Sequence, residues 1–157
     1  YCNTSSSIYS TVSGGYLNLS INDGTFVGGG KSNTSSGSYS TIGGGYQNTS
    51  SGTYSFVGGG CGNTASGNNS SIVVGCLNTS LGNCSFIGGG SGNTVNASFS
   101  AILAGSGNTI ASTGTTSFII GSNITADMTC ATFVNKLSIK TLLDTTPLNK
   151  KGLKFIL

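Results

Sequence analysis

The chain has no histidine, tryptophan, glutamate or arginine, and its charged side chains amount to six lysines and three aspartates in 157 residues. General acid/base catalysis near neutral pH draws on histidine, a paired carboxylate or a tuned lysine. Asp23, Asp127 and Asp144 lie far apart in sequence, so a hydrolase or transferase finds no parts, and neither catalytic residues nor a cofactor are expected. Without histidine or a CxxC pair, no metal site is expected either. Lys136, Lys140, Lys150, Lys151 and Lys154 crowd the last 22 residues and leave only Lys31 before them. That distribution reads as a solvated basic tail, not as the spread of cations and aromatics that binds nucleic acid. No run of about 18 apolar residues occurs, so no span across a membrane is expected, although residues 137–143 also suit an amphipathic helix lying on one. The chain opens at Tyr1 without Met or a charged-then-apolar leader, which points to a processed or partial chain.

Glycine, serine, threonine and asparagine supply 90 of the 157 residues. Low complexity of this kind often means disorder, but 36% of the residues are apolar and the charge is low, so the chain is expected to fold. Self-comparison shows how. Starting at Asn3, an asparagine recurs every 15 residues at Asn18, Asn33, Asn48, Asn63, Asn78, Asn93, Asn108 and Asn123. With the asparagine as position 1, position 8 is Ser or Thr, position 10 is Val or Ile, and position 13 is Gly throughout the first seven units. A period of 15 is too short for a helical hairpin or a propeller blade, and it fits one coil of a β-solenoid.

The expected fold is therefore all-β, a parallel β-solenoid of eight 15-residue coils stacked about 4.8 Å apart into a rod on the order of 40 Å long. Residues 1–123 form the repeat array, and residues 124–157 a small β cap or oligomerisation segment. A strand is expected at positions 7 to 10, with glycine-rich bends at 4 to 6 and 11 to 13. The asparagine is expected at a corner, tolerating left-handed backbone angles and bonding to its counterparts above and below. Val73, Val74, Leu103 and Ala104, which interrupt the glycine run, are expected to fill a locally wider core. In the unit from Asn108 the apolar run Phe118-Ile119-Ile120 lies two residues late, which marks an irregular last coil.

Side chains alternate along a strand, so if position 10 faces inward the core is Val12, Val27, Ile42, Val57, Ile72, Ile87 and Ile102. The other side of the same strand then carries Tyr9, Tyr39, Tyr54 and Phe99 at position 7 and Phe26, Phe56 and Phe86 at position 9. Inward and outward could be exchanged without removing the difficulty that both sides are apolar. Such a strand needs cover on both faces, and the economical cover for a repeated surface is another copy of the chain. A wider solenoid that turns all these residues inward is the alternative. The terminal Phe155, Ile156 and Leu157 are expected to seal the base of the rod within an oligomer or to dock on the next subunit of a filament.

The units GSYSTIGGG (residues 37–45) and GTYSFVGGG (52–60), joined by NTSSG, resemble the head repeats of YadA-like trimeric autotransporter adhesins and of related phage and viral fibres. The resemblance covers residues 3 to 123 and departs from that family's usual period by one residue. It implies a left-handed β-roll, three chains about one axis, and a surface fibre or adhesive head that contacts a host surface or matrix. No catalytic residue carries over.

Of the five cysteines, Cys61 and Cys76 share position 14 of successive coils, where vertical neighbours lie within disulfide range. Cys84 would lie on the interface side, and Cys2 and Cys130 near the ends of the array; the alternative is that all five are reduced and simply buried. Asn3, Asn18, Asn33, Asn48, Asn78 and Asn123 each begin an N-x-S/T triplet, a candidate glycosylation acceptor, though the repeat generates those triplets by itself.

The expected function is a non-enzymatic fibre or adhesin head, homotrimeric or filament-forming, outside the cell or on a cell or virion surface. An ice-binding solenoid is the alternative, but it needs a Thr-x-Thr grid, and Thr11, Phe26, Thr41, Phe56, Ser71, Phe86 and Ala101 at position 9 break one. A carbohydrate-active β-helix would need clustered carboxylates, which the repeat does not supply.

Overall fold

A computed structural model describes residues 2–136; Phe155, Ile156 and Leu157, expected to seal or dock, and residues 137–143, suited to an amphipathic helix, lie outside them. The chain winds into a β-solenoid of two parallel nine-stranded sheets, with no helix among the described residues. Each coil contributes one short strand to each sheet, of two residues except for Phe118–Ile120 and Thr132–Val134, which have three. The first sheet runs from Thr4–Ser5 through Thr34–Ser35 to Thr125–Ala126, and the second from Thr11–Val12 through Thr41–Ile42 to Thr132–Val134. Pairing is parallel and in register at the 15-residue step, as in Thr34 with Thr49 and Ile42 with Val57. A third line of single bridges joins position 14 of successive coils from Tyr16 to Ser106.

The corners explain where strands stop. Position 7 is left-handed in every coil, with Tyr39, Tyr54, Cys84 and Phe99 at φ 58°, 56°, 52° and 56°. Position 15 is left-handed as well, as at Leu17, Ser32, Gln47 and Leu77. Each coil is thus cut into two short extended arms by residues that pay a steric cost in that region. Position 7 is a corner, not the first residue of a strand as the alternation suggested. The ladder asparagine is not the left-handed residue either; that angle falls on the residue before it. Asn123 is the exception, at φ 56°. Gly45 shows why position 13 admits only glycine: its φ is +97°, and a Cβ there would stand 2.6 Å from Asn48 Nδ2.

The interior is one column. Val27, Ile42, Val57, Ile72, Ile87 and Ile102 are fully buried, as expected of position 10, and Val12 in the first coil, which has a neighbour on one side only, is half-buried. Burying each such side chain contributes about 1.5–3 kcal/mol. Facing them at position 3 are Ser20, Ser35, Ser50 and Ser80, which give way to Val95, Ile110 and Ala126 towards the C-terminal end. The hydroxyls pair across the column with position 8: Ser35 Oγ with Ser40 Oγ at 2.7 Å, and Ser50 with Ser55 at 2.7 Å. Val73, Val74 and Leu103 do not widen this core. They are exposed, because positions 11 and 12 face outward.

Asparagine holds the corners between coils. Asn33 and its kin from Asn18 to Asn108 are fully buried. The amide of Asn33 donates to Gly29 O at 3.0 Å and to Gly45 O at 2.9 Å in the next coil, while its Oδ1 accepts the backbone N–H of Asn48 at 2.9 Å. One side chain therefore satisfies backbone groups of its own coil and of the next, which is how a tight corner is buried without orphaned donors.

The regular beat of asparagines conceals a change of register at its end. Ala101 pairs with Phe118 and Ile102 with Ile119, steps of 17, whereas Thr109 pairs with Thr125, a step of 16. Two residues enter before the Thr116 corner and one is lost after Ile120. Asn123 consequently occupies the corner position, its N–H donating to Ser106 O as Gly107 N–H donates to Ser91 O, and Ile124 takes the ladder place with its N–H on Asn108 Oδ1 at 3.1 Å. The stack continues to Val134, so the boundary expected after residue 123 falls inside it.

Candidate functional site

The outside of the rod divides into surfaces of different chemistry. On the second sheet, position 9 alternates: Phe26, Phe56, Phe86 and Phe118 stand on every other coil, with Thr11, Thr41, Ser71, Ala101 and Thr132 between them. The four rings are 36–43% exposed. Each of the first three leans over the glycine two residues on: a Cβ at Gly28, Gly58 or Gly88 would lie 3.3–3.4 Å from the ring of Phe26, Phe56 or Phe86. Val73, Val74, Leu103 and Ile120 extend this face, and none of its positions carries a charge. At the adjoining corner Tyr9, Tyr39, Tyr54 and Phe99 are more than half exposed, and the rings of Tyr39 and Tyr54 stack at 5.3 Å, 11° from parallel. Every expected interface residue within the described chain is thus on the outside, position 9 by alternation with the buried position 10 and position 7 because it turns a left-handed corner.

The first sheet presents hydroxyls. Thr34, Thr49, Thr64, Thr79, Thr94, Thr109 and Thr125 follow one another in unbroken parallel register at position 2. Beside them run Ser36, Ser51 and Ser66, with Ser51 Oγ donating to Ser66 Oγ at 3.0 Å. The threonine grid that position 9 lacks stands at position 2, on the other arm of the coil. Position 2 was visible as the Thr of every N-T repeat, but only knowledge that it starts an outward-facing strand gives it meaning.

Along the third line, position 14, Lys31 Nζ stands 5.9 Å from the Tyr16 ring and 5.8 Å from the Tyr46 ring, a cation held between two aromatic faces. Two coils further on, Cys61 and Cys76 are bridge partners with Cα atoms 4.7 Å apart and form a disulfide. Cys2, Cys84 and Cys130 are exposed thiols.

Asp23 and Asp127 are both exposed, Asp23 taking a hydrogen bond from Ser7 Oγ at 2.5 Å, and no group of three metal-ligating side chains occurs among the described residues. A shallow cavity of about 270 Å³ is lined by Thr116, Phe118, Cys130, Ala131 and Thr132. No helix among the described residues is long and apolar enough to cross a membrane.

The glycosylation candidates separate by burial. Asn18, Asn33, Asn48 and Asn78 are interior ladder residues, Asn3 in the first coil is half-buried, and Asn123 alone of the six is exposed. Four further N-x-S/T triplets, beginning at Asn68, Asn69, Asn83 and Asn96, escaped notice because they fall off the 15-residue beat. Asn68, Asn69 and Asn83 are exposed at the position 6–7 corner.

No family model matches the chain, and no curated protein matches it significantly.

Proposed function

We propose that the chain is a non-enzymatic structural module, a rigid rod that associates with copies of itself and serves as spacer or adhesive head at the surface of a cell or virion. The observation that carries this reading is the uncharged face with phenylalanine on alternate coils, flanked by an exposed aromatic corner. Soluble monomers rarely leave so long an apolar stripe in water, and sister chains bring the same stripe at the same period. The likeness of residues 37–60 to YadA-like head repeats favours three chains about one axis. Binding to a host surface or matrix would then be spread over the repeated outward positions. Light scattering on the purified chain, with negative-stain imaging to separate closed trimers from open filaments, tests it: a monodisperse single subunit in dilute buffer would sink the reading.

A second reading, ice binding, rests on the seven in-register threonines of the opposite sheet. Such a ladder repeats hydroxyl and methyl groups at the strand spacing of about 4.8 Å, the kind of regular array that can order water on a flat face. Thermal hysteresis of the purified protein decides it, and its absence removes this alternative while leaving the first untouched.

A further inference from the structure

Four of the buried ladder asparagines begin acceptor triplets for N-linked glycosylation: Asn18-Leu19-Ser20, Asn33-Thr34-Ser35, Asn48-Thr49-Ser50 and Asn78-Thr79-Ser80. We infer that glycan transfer to these four residues and folding of the chain exclude one another, so that the native rod forms only on a route where lipid-linked oligosaccharide transfer does not act. The exposed Asn68, Asn69, Asn83 and Asn123 are the positions where the finished fold leaves room for a glycan.

The chemistry sets the conflict. In the transfer the bond between sugar C1 and the oxygen of its lipid pyrophosphate carrier breaks, and the carrier leaves with the electron pair. A C1–Nδ2 bond forms, and the amide gives up one of its two protons, through solvent, to the departing pyrophosphate. In the folded chain both protons are already committed. Asn18 Nδ2 donates to Gly14 O at 3.0 Å and Gly30 O at 2.9 Å; Asn48 Nδ2 donates to Gly44 O and Gly60 O, each at 3.0 Å; Asn33 repeats the pattern. Asn78 donates to Gly90 O at 3.0 Å and Asn63 Oδ1 at 3.1 Å. A carbon replacing either proton would sit about 1.45 Å from the nitrogen along a line whose far end is that oxygen, leaving about 1.5 Å between carbon and oxygen. For every one of the four, at least one acceptor is a backbone carbonyl of the next coil (Gly30, Gly45, Gly60 or Gly90), which no side-chain shift moves.

Order of events makes the conflict real and not merely geometric. Burial of Asn18 requires Gly30 of the following coil, and burial of Asn33 requires Gly45. Each acceptor triplet is therefore complete and extended before the residues that cover it have been added, and the transferase meets an open chain. The same repeat that builds the ladder writes the acceptor, since position 3 is serine wherever it pairs with position 8. This inference does not depend on the rod being a fibre or on its oligomeric state.

Cell-free translation of the full chain behind a cleavable leader, in the presence of endoplasmic-reticulum microsomes, tests it. One arm contains the acceptor tripeptide Asn-Tyr-Thr to occupy the transferase, the other does not. Glycan sites are mapped by the aspartates that enzymatic release leaves behind, and folding is read by protease resistance after the vesicles are opened. Without tripeptide, the chain is expected to carry glycans on ladder asparagines and to be digested; with it, the chain is expected to be unmodified and resistant. The inference is overturned by a ladder-glycosylated chain that resists protease, by empty ladder sites in the uninhibited arm, or by digestion in both arms.

Discussion

Ser70 buries its hydroxyl without a hydrogen-bond partner because Ala65 stands where Ser35, Ser50 and Ser80 supply one to the residue five places on. In those coils two hydroxyls share a hydrogen bond inside a column otherwise made of Val and Ile. In the coil of Asn63 one partner has been replaced by a methyl group, and the other is left with an unmet donor and acceptor.

Ala65→Ser is therefore expected to stabilise the chain. A restored buried hydrogen bond contributes about 1 kcal/mol, and it also removes the cost of an orphaned hydroxyl. Denaturant unfolding should show a higher midpoint with an unchanged slope. A midpoint that stays or falls would mean that the column has no room for the oxygen and that Ser70 is satisfied some other way.

The asparagines should divide into two classes that the sequence does not distinguish. Asn63 accepts the N–H of Asn78 at 3.0 Å in the interior and donates to Gly59 O at 2.9 Å and Gly75 O at 2.7 Å, both part-buried. Asn63→Ala strands several buried backbone groups at a cost of about 1–3 kcal/mol each, so a loss of roughly 3 kcal/mol or more is expected. Asn123→Ala, on the same 15-residue beat but exposed at a left-handed corner, should lose only about 1 kcal/mol, the cost of giving up asparagine's tolerance of that backbone region. Equal losses at the two sites would show that Asn123, and not Ile124, continues the ladder.

That contrast marks how far the sequence could be read. The solenoid, its period, the inward Val and Ile and the Cys61–Cys76 pair all follow from one rule, that equal positions stack, and the rule needs only spacing. What spacing does not carry is backbone conformation. Tyr39 and Tyr54 alternate with their neighbours as strand residues would, yet they are left-handed corners, a state that L-residues enter only when the coil above and below imposes it. Likewise Asn123 keeps the beat by coincidence: two residues gained before Thr116 and one lost after Ile120 shift the chain past it. Insertions that nearly cancel are invisible to a period count and plain in the pairing of Ala101 with Phe118. The threonine ladder was missed for the same reason, since an outward position is defined by the corner that precedes it.

Reducing the disulfide should weaken the rod without dismantling it. Cys61 and Cys76 are already neighbours through the bridge at position 14, so the covalent bond adds a constraint to the unfolded chain and little to the folded one. The chain-entropy estimate for a closed loop of 15 residues is about 3 kcal/mol. The Cys61→Ser, Cys76→Ser double variant should melt lower than the oxidised parent and at the same temperature as the parent in reductant. A parent insensitive to reductant would indicate that the two thiols are not joined in solution.

One charge placed on each face separates the two proposed uses of the rod. Phe56 and Thr64 lie on opposite sheets, both side chains pointing out, so lysine at either site leaves the buried column alone. If sister chains cover the phenylalanine face, Phe56→Lys brings a cation into an uncharged contact from every copy, where burial without a partner costs several kcal/mol. The oligomer should fall to single subunits by light scattering while the melting temperature of the subunit fold changes little. Thr64→Lys should leave the mass unchanged, since that face stays in water, and should abolish thermal hysteresis if the threonine ladder binds ice. The reverse outcome, dissociation by Thr64→Lys with Phe56→Lys still assembled, would move the interface to the hydroxyl sheet and leave the phenylalanine stripe as the surface turned outward.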